Sequence, residues 1–423
     1  PEGAFAIGMQ IDRHVTRAIA VDLMGNILTR SEANLPQGGP VEGVKVILAL
    51  IETVRSDLAR IATHAEKRLV GLGAAMPGPF GMEGAVDDPW TMDAWQQFPL
   101  LETLAAGTGL DVGLQNDAAA CATAERMVGA AHGLDHAVCI YLGYGIGAGL
   151  ILGGELYAGA HGNAGEIGMA LLRGADGLRT PLEHRASLAS FYQHLQIDPA
   201  AADVHDQVTV LAASDDPKVT AWIEAAAADL RWCVHLIETI FDPQTVILGG
   251  GTPAMLASRL IAAMQPLLPS IACRPDRLLP RLQLGMTDPW SVALGAATMG
   301  QIARITRASM IDVSSQDYIE AARAFGVPER LRVFKYMLRP AFVPPLTISG
   351  LEFASLIGNA FVVELVFAWP GMAAYGVRTI MQKDLNAVMG VVIVSGVFFV
   401  VVNLLIDVLV GFVDPRIRIR GRR

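Results

Sequence analysis

Two long, mainly apolar runs, residues 346–367 and 387–413, lie near the end of this chain and split what it can fold into. At 22 and 27 residues each is long enough to cross about 30 Å of hydrocarbon as a helix, with allowance for tilt. Nothing before residue 300 has that character. The first 300 residues hold 18 Lys/Arg and 32 Asp/Glu, a net of −14, whereas the rest hold 14 and 9, a net of +5. An acidic surface of that kind is unsuited to gripping nucleic acid. A soluble stretch of about 300 residues usually divides into two lobes. The four cysteines, Cys121, Cys139, Cys233 and Cys273, form no CxxC pair, so they read as buried apolar fillers in a reducing compartment. The chain opens on Pro1-Glu2 with neither Met nor a basic-plus-apolar leader, so further sequence upstream is expected.

The first 300 residues alternate strand and helix patterns. β-type runs at Phe5–Ile11, Arg17–Leu23 and Ile27–Glu32 predict an antiparallel meander, followed by a helix from Val41 to about Lys67. Strands follow at Leu69–Met76 and Asp111–Gln115, then a helix over Asp117–Ala131. A second strand set starts at His136–Leu142 and Gly147–Leu152, with helices at Lys218–Ile240 and Ala254–Leu268 around a strand at Thr245–Leu248. Three strands and a helix, then the same again, predict two related α/β lobes, about 1–131 and 132–300, with a cleft between them.

Three segments point to that cleft. In Leu142-Gly-Tyr-Gly-Ile-Gly-Ala-Gly149 the glycines Gly143, Gly145, Gly147 and Gly149 alternate between two strands. Missing Cβ atoms there let backbone N–H groups approach a phosphate or sugar oxygen, or simply make a tight hairpin. Asn116-Asp117 stands where a strand gives way to a helix, with Asp117 as an N-cap or the pair as a hydrogen-bonding couple facing the cleft. Glu166, between Gly165 and Gly168 in apolar surroundings, fits either a solvated turn or a site carboxylate.

Together these segments resemble the ROK family of sugar kinases and sugar-responsive repressors, over roughly residues 5–299. The resemblance rests on AMPGPF at 75–80, QNDAAA at 115–120, YLGYGIGAGLILGGELYAGAHGNAGEIG at 141–168 and VILGGG at 246–251. It implies a two-lobed actin-like (ribonuclease-H-like) ATPase fold of the α/β class. It also places Asn116, Asp117, Glu166 and Glu183 on sugar-contact positions, with Asp117 as the base in a kinase. Gly143, Gly145, Gly147, Gly149, Gly249 and Gly250 fall in its phosphate-loop-like segments. The kinases open with Asp-x-Gly-Gly-Thr, and here the corresponding stretch is Gln10-Ile11-Asp12-Arg13-His14. An amide replaces a carboxylate and both glycines carry side chains, so the cradle for metal and ATP phosphates is spoiled. The zinc position after GEIG is Met169 and no cysteine follows over Gly174–Leu182, so no metal is expected. The expectation is a non-catalytic, sugar-sensing domain with no cofactor. An active hexose kinase using ATP and Mg is the alternative. A repressor's DNA contact would need a winged helix upstream of residue 1.

The end of the chain resembles a second family. Glu320-Ala-Ala-Arg-Ala-Phe-Gly326, within a segment at about 314–340, resembles the cytoplasmic EAA loop of ABC-importer permeases, with Glu320, Ala321, Ala322 and Gly326 as its docking residues. VVELVFAWPGM and VNLLIDVLVGFVDPRIRI resemble the dipeptide/oligopeptide/nickel class. The resemblance covers about 303–423 and implies an all-α membrane segment with two transmembrane helices. Basic residues flank the pair on both outer sides, with only Arg378 and Lys383 between them, so both ends should face the cytoplasm. The reading is a sugar-binding domain fused to part of an importer permease at the inner membrane, the first domain in the cytoplasm. Its expected partners are a sugar or sugar phosphate, an ATP-binding subunit, a second permease subunit, the membrane and a second copy of itself. A membrane-anchored interaction protein is a further alternative. The junction near Met299–Ala303 has no Pro/Gly/Ser-rich linker, so an evolved fusion and a truncated or rearranged gene both stay open.

Overall fold

The computed structural model describes residues 4–298, apart from 23–24, 37–38, 63–64, 80–91, 175–176 and 202, and beyond them only residues 375, 389, 390 and 393. The chain divides into two compact units, 1–303 and 304–423. The Glu320–Gly326 segment, the first apolar run and nearly all of the second lie outside the described residues. Among the described residues no helix is long and apolar enough to cross a membrane.

The first lobe carries β1 (Phe5–Ile11), β2 (Val15–Asp22), β3 (Ile27–Asn34), α1 (Pro40–Ile61), α2 (Ala65–Arg68), β4 (Leu69–Met76), α3 (Asp93–Gln96), α4 (Leu100–Thr108), β5 (Val112–Asn116) and α5 (Asp117–Val128). The second carries β6 (His136–Leu142), β7 (Ile146–Leu152), β8 (Glu155–Tyr157), β9 (Leu171–Arg173), β10 (Arg179–Pro181), α6 (Glu183–Ala186), α7 (Leu188–Leu195), α8 (Val204–Ala213), α9 (Pro217–Phe241), β11 (Thr245–Gly249), α10 (Ala254–Ala263) and β12 (Leu282–Leu284). The two five-stranded sheets run β3-β2-β1-β4-β5 and β8-β7-β6-β11-β12. In each, the central strand pairs antiparallel with its hairpin neighbour and parallel with the strand on its other side. The expected repeat is therefore a repeat of topology.

β1 is buried along its whole length, which is why it reads as a continuous apolar run rather than an alternation. α1 buries Val44, Ile47, Ile51, Val54 and Leu58 at helical spacing against the β2–β3 side of its sheet. It does not run to Lys67: Ala62 is extended at φ −124° and ψ 123°, and α2 is a separate turn leading into β4. The helix expected over Ala254–Leu268 stops at Ala263, because Pro266 and Pro269 cannot continue it. A helical stretch at 291–298 closes the unit.

That last stretch and α5 form the layer between the sheets. α5 packs on β6 and β7. Residues 291–298 return to the first sheet, where Ala293, Leu294 and Ala297 pack with Ala6, Ile19 and Val21. The approach is possible only because Gly8 and Gly73 lack side chains. A Cβ on Gly8 would overlap the Ala293 carbonyl oxygen, and one on Gly73 would overlap that of Ala296. The two helices also meet each other, Gly295 against the Ala120 carbonyl. The interlobe layer is rich in Ala, with Cys121, Tyr141, Val292 and Leu294 among its larger members.

Candidate functional site

The cleft lies where β5 turns into α5, opposite the β6–β7 hairpin. Asn116, rather than the Asp117 expected from the sequence, is the N-cap of α5, and it also faces the cleft. Its Oδ1 accepts from the Ala118 and Ala119 N–H groups at 2.8 and 3.3 Å, capping α5, while its Nδ2 donates to Glu166 Oε1 at 2.9 Å. Asp117 is buried beside it and accepts from the Ala118 N–H at 2.7 Å. Glu166 sits at the end of a turn whose Gly165, at φ 94°, presses against the Ala148 carbonyl where no side chain would fit. Glu183 opens α6, with its Oε2 close to Gly145 and Gly168. All four residues line one cleft together with Arg13, Gly78, Tyr141 and Met169.

Its electrostatics follow from crowding carboxylates away from water. Asp117 is pushed up to about 7, chiefly by burial, then by Asp12 and Glu166, with Arg13 opposing. Glu166 is likewise raised to about 7 by burial and then by Glu183, again with Arg13 opposing. Carboxylates in such a cleft accept from hydroxyls, and Asp117 could take a hydroxyl proton near neutral pH. The free space within it is about 30 Å³.

The alternating glycines perform different tasks. Gly147 and Gly149 face α5, where added Cβ atoms would lie 2.7 Å from the Ala118 Cβ and Ala118 O respectively. Gly143 and Gly250 both press on the Tyr141 ring, and Gly249 lies against the Met286 carbonyl. Tyr141 is fully buried, and the Gln10 amide donates to its hydroxyl at 3.2 Å. Beside it, Tyr144 packs between the β1–β2 turn and α7. The Arg13 guanidinium lies 4.9 Å from its ring centroid, His14 lies 5.1 Å away, and Tyr192 lies 6.3 Å away. This cluster was not legible from the sequence. The tyrosines stand in the glycine run, but the spacing of the glycines drew the reading, and Arg13 counted as a lost glycine rather than as a residue lining the cleft. Among the described residues no group of three or more His, Cys, Asp or Glu side chains is placed to hold a metal. Glu320, Ala321, Ala322 and Gly326 lie outside the described residues.

Comparison with known proteins places both parts. Residues 6–300 match the ROK family, and residues 248–419 match the binding-protein-dependent transport system inner membrane component. A ROK family glucokinase from Streptomyces griseus, solved with glucose and AMPPNP, is similar with a TM-score of 0.56 at 22% identity over 70% of this chain and 98% of that one. A ROK hexokinase from Thermus thermophilus gives 0.50 at 26% identity, over 70% and 97%. A ROK family transcriptional regulator, a homologue of the E. coli MLC protein, gives 0.52 at 22%, over 71% and 79%. Over 128 residues the chain is 42% identical to the glutathione transport system permease protein GsiC of Pectobacterium atrosepticum, and 41% identical to that of Escherichia coli. That stretch is 30% of this chain, and it spans 42% of the length of either relative.

Proposed function

As this chain belongs to the ROK family and joins that domain to a permease domain, we propose that its first unit binds a sugar or sugar phosphate without phosphorylating it. The observation that carries this is the filling of the cleft's phosphate side. Tyr141 occupies the space under Gly143 and Gly250, and Tyr144 is held between Arg13, His14 and Tyr192. The side chains there do not fit a metal-bound triphosphate. Gln10 presents an amide already bonded to Tyr141, and Asp12 is paired with Arg13 at 3.6 Å. Phosphoryl transfer depends on positioning and charge neutralisation, and neither is provided. Asn116, Asp117, Glu166 and Glu183 keep the acceptors that hydroxyls need.

Calorimetry of the full chain in detergent against a monosaccharide panel, beside a coupled ADP-release assay, tests the reading. Binding without ADP release is the expected outcome. One observation favours the kinase alternative: Asp117, raised to about 7 and buried in the cleft, suits a base working at neutral pH. Sugar-dependent ADP release abolished by Asp117→Asn would establish that alternative.

For the second unit we propose a helical hairpin in the inner membrane with both ends in the cytoplasm, alongside the first unit. Its Glu320–Gly326 segment contacts an ATP-binding subunit of an importer, and a second permease subunit completes the assembly. The permease match and the placement of the basic flanks support this. With the exposed Cys273 replaced by Ser, single cysteines at Ser314, Ala374 and Gly421 are expected to label from the cytoplasm, the outside and the cytoplasm respectively in spheroplasts and inverted vesicles. Cytoplasmic labelling of position 374 would overturn the hairpin.

A further inference from the structure

A groove of about 540 Å³ opens between the β2–β3 edge, the loop before α8 and Trp290. Its volume lies within the roughly 300–1,000 Å³ of small-molecule sites. A smaller pocket of about 70 Å³ adjoins it. His14, Val15 and Arg17 from the β1–β2 side, and Pro199, Val204 and His205 from the α8 side, line both spaces. Residues shared from two opposed sides border a common mouth rather than a partition. Gln10, Asp12, Tyr144 and Tyr192 close the inner end. At the outer rim stand the exposed Asp203 and Asp206.

Both ends favour a positively charged ligand. Gln10 is only 3% exposed and donates to Tyr141, yet its Oε1 has no hydrogen-bond partner. A buried carbonyl oxygen left this way carries a desolvation cost that a ligand donor would recover. Asp12 adds a carboxylate whose field pervades the pocket: after burial, it does most to raise the Tyr192 hydroxyl above its ordinary value. The cations nearby are already engaged. Arg13 lies 3.6 Å from Asp12 and over the Tyr144 ring, Glu32 holds Arg17 at 3.1 Å, and Arg30 lies over Trp290 at 5.4 Å. Burial keeps His14 and His205 below the ordinary imidazole value, so both are mainly neutral near pH 7. Tyr192, 6.3 Å from Tyr144, adds an aromatic ring of the kind on which Arg13 already rests. An ammonium group donates three hydrogen bonds and accepts none, so it complements such a lining. A polyphosphate meets repulsion from Asp12 instead.

We propose that the pocket and groove bind a linear diamine or polyamine, with one ammonium against Gln10, Asp12 and Tyr192 and the next at the Asp203–Asp206 rim. This site stands apart from the Asn116–Glu166 cleft, so its test needs no sugar. Calorimetry of the full chain in detergent would compare straight-chain diamines of three to six carbons with butylamine, butanediol, magnesium chloride and Mg·ADP. One of the diamines should bind once per chain, about tenfold more tightly than butylamine, and the diol should not bind. Gln10→Met, which keeps the side chain's bulk and removes its carbonyl, should weaken that diamine about tenfold. Asp206→Asn, on the exposed rim, should also weaken it while leaving butylamine unchanged. If the melting curve shows Gln10→Met unfolded, Asp206→Asn decides alone. The proposal is overturned if no diamine binds, if several bind per chain and magnesium chloride displaces them as loose counterions, or if Asp206→Asn leaves the affinity unchanged. Mg·ADP binding that is lost in Gln10→Met would overturn it as well, since the pocket would then be an anion site.

Discussion

Gly73→Ala is expected to destabilise the first unit severely, by at least about 3 kcal/mol, a large share of the roughly 5–15 kcal/mol that holds a typical domain folded. The added methyl would be driven into the Ala296 carbonyl oxygen, which belongs to backbone and cannot swing aside. Relief requires moving residues 291–298 off β4, and that move also breaks the packing of Ala293 and Ala297 on Ala6. Gly8→Ala strikes the same helix at Ala293 and should behave alike. Gly133→Ala is the control: nothing lies within 4 Å of an added Cβ, and its φ of 74° costs only local strain. Thermal melts of the three full-length variants followed by tryptophan fluorescence would decide. Wild-type stability in Gly73→Ala would mean that the helix does not sit on the sheet as described.

Asp117→Asn should instead make the chain more stable, in a pH-dependent way. Asp117 is held near 7 against an ordinary value of 3.8, chiefly by burial. A carboxyl raised on folding binds its proton more tightly in the folded state. It therefore withdraws stability as pH rises from about 4 to about 7, and the full cost stands above that. The amide keeps an oxygen for the Ala118 N–H and carries no charge to desolvate. The gain should be close to zero near pH 4 and reach about 1–3 kcal/mol by pH 8, a shift of several degrees in Tm. A gain that is largest at low pH, or a loss at pH 8, would contradict the electrostatic account of the cleft. Sugar affinity should fall in the same variant, so that the cleft exchanges stability for binding.

Most of the first unit's architecture was legible because its central strands are apolar along most of their length. β1, β4 and β6 coincide with the runs read from the sequence, since a strand buried on both faces announces itself by composition. β9, β10 and β12, three residues each, carry no periodicity to read and exist only through their partners. The end of α1 was misplaced because the helical pattern continues past Leu58 while the chain must turn to enter β4. The four acceptors of the cleft could be named in advance from family motifs, but not their mutual geometry. The Asn116–Glu166 bond links residues 50 positions apart, and only the fold brings them together. The tyrosines escaped notice for a different reason: a phenol at the floor of a glycine loop means one thing if it points to solvent and another if it lies beneath the loop.

The return of residues 291–298 to β1 also fixes an order of events during synthesis. Gly8 is made long before its covering surface, which is supplied by Ala293 and Ala297, nearly the whole unit later. Such long-range closure is slow, and the exposed faces of β1 and β4 must stay soluble meanwhile. The acidic surface of this stretch helps keep an incomplete sheet apart from its copies. The closing helix is made before the first apolar run, which begins only at residue 346. The first unit can therefore seal its own interior before the ribosome delivers the long apolar runs, and that timing spares the chain a competition between two hydrophobic surfaces.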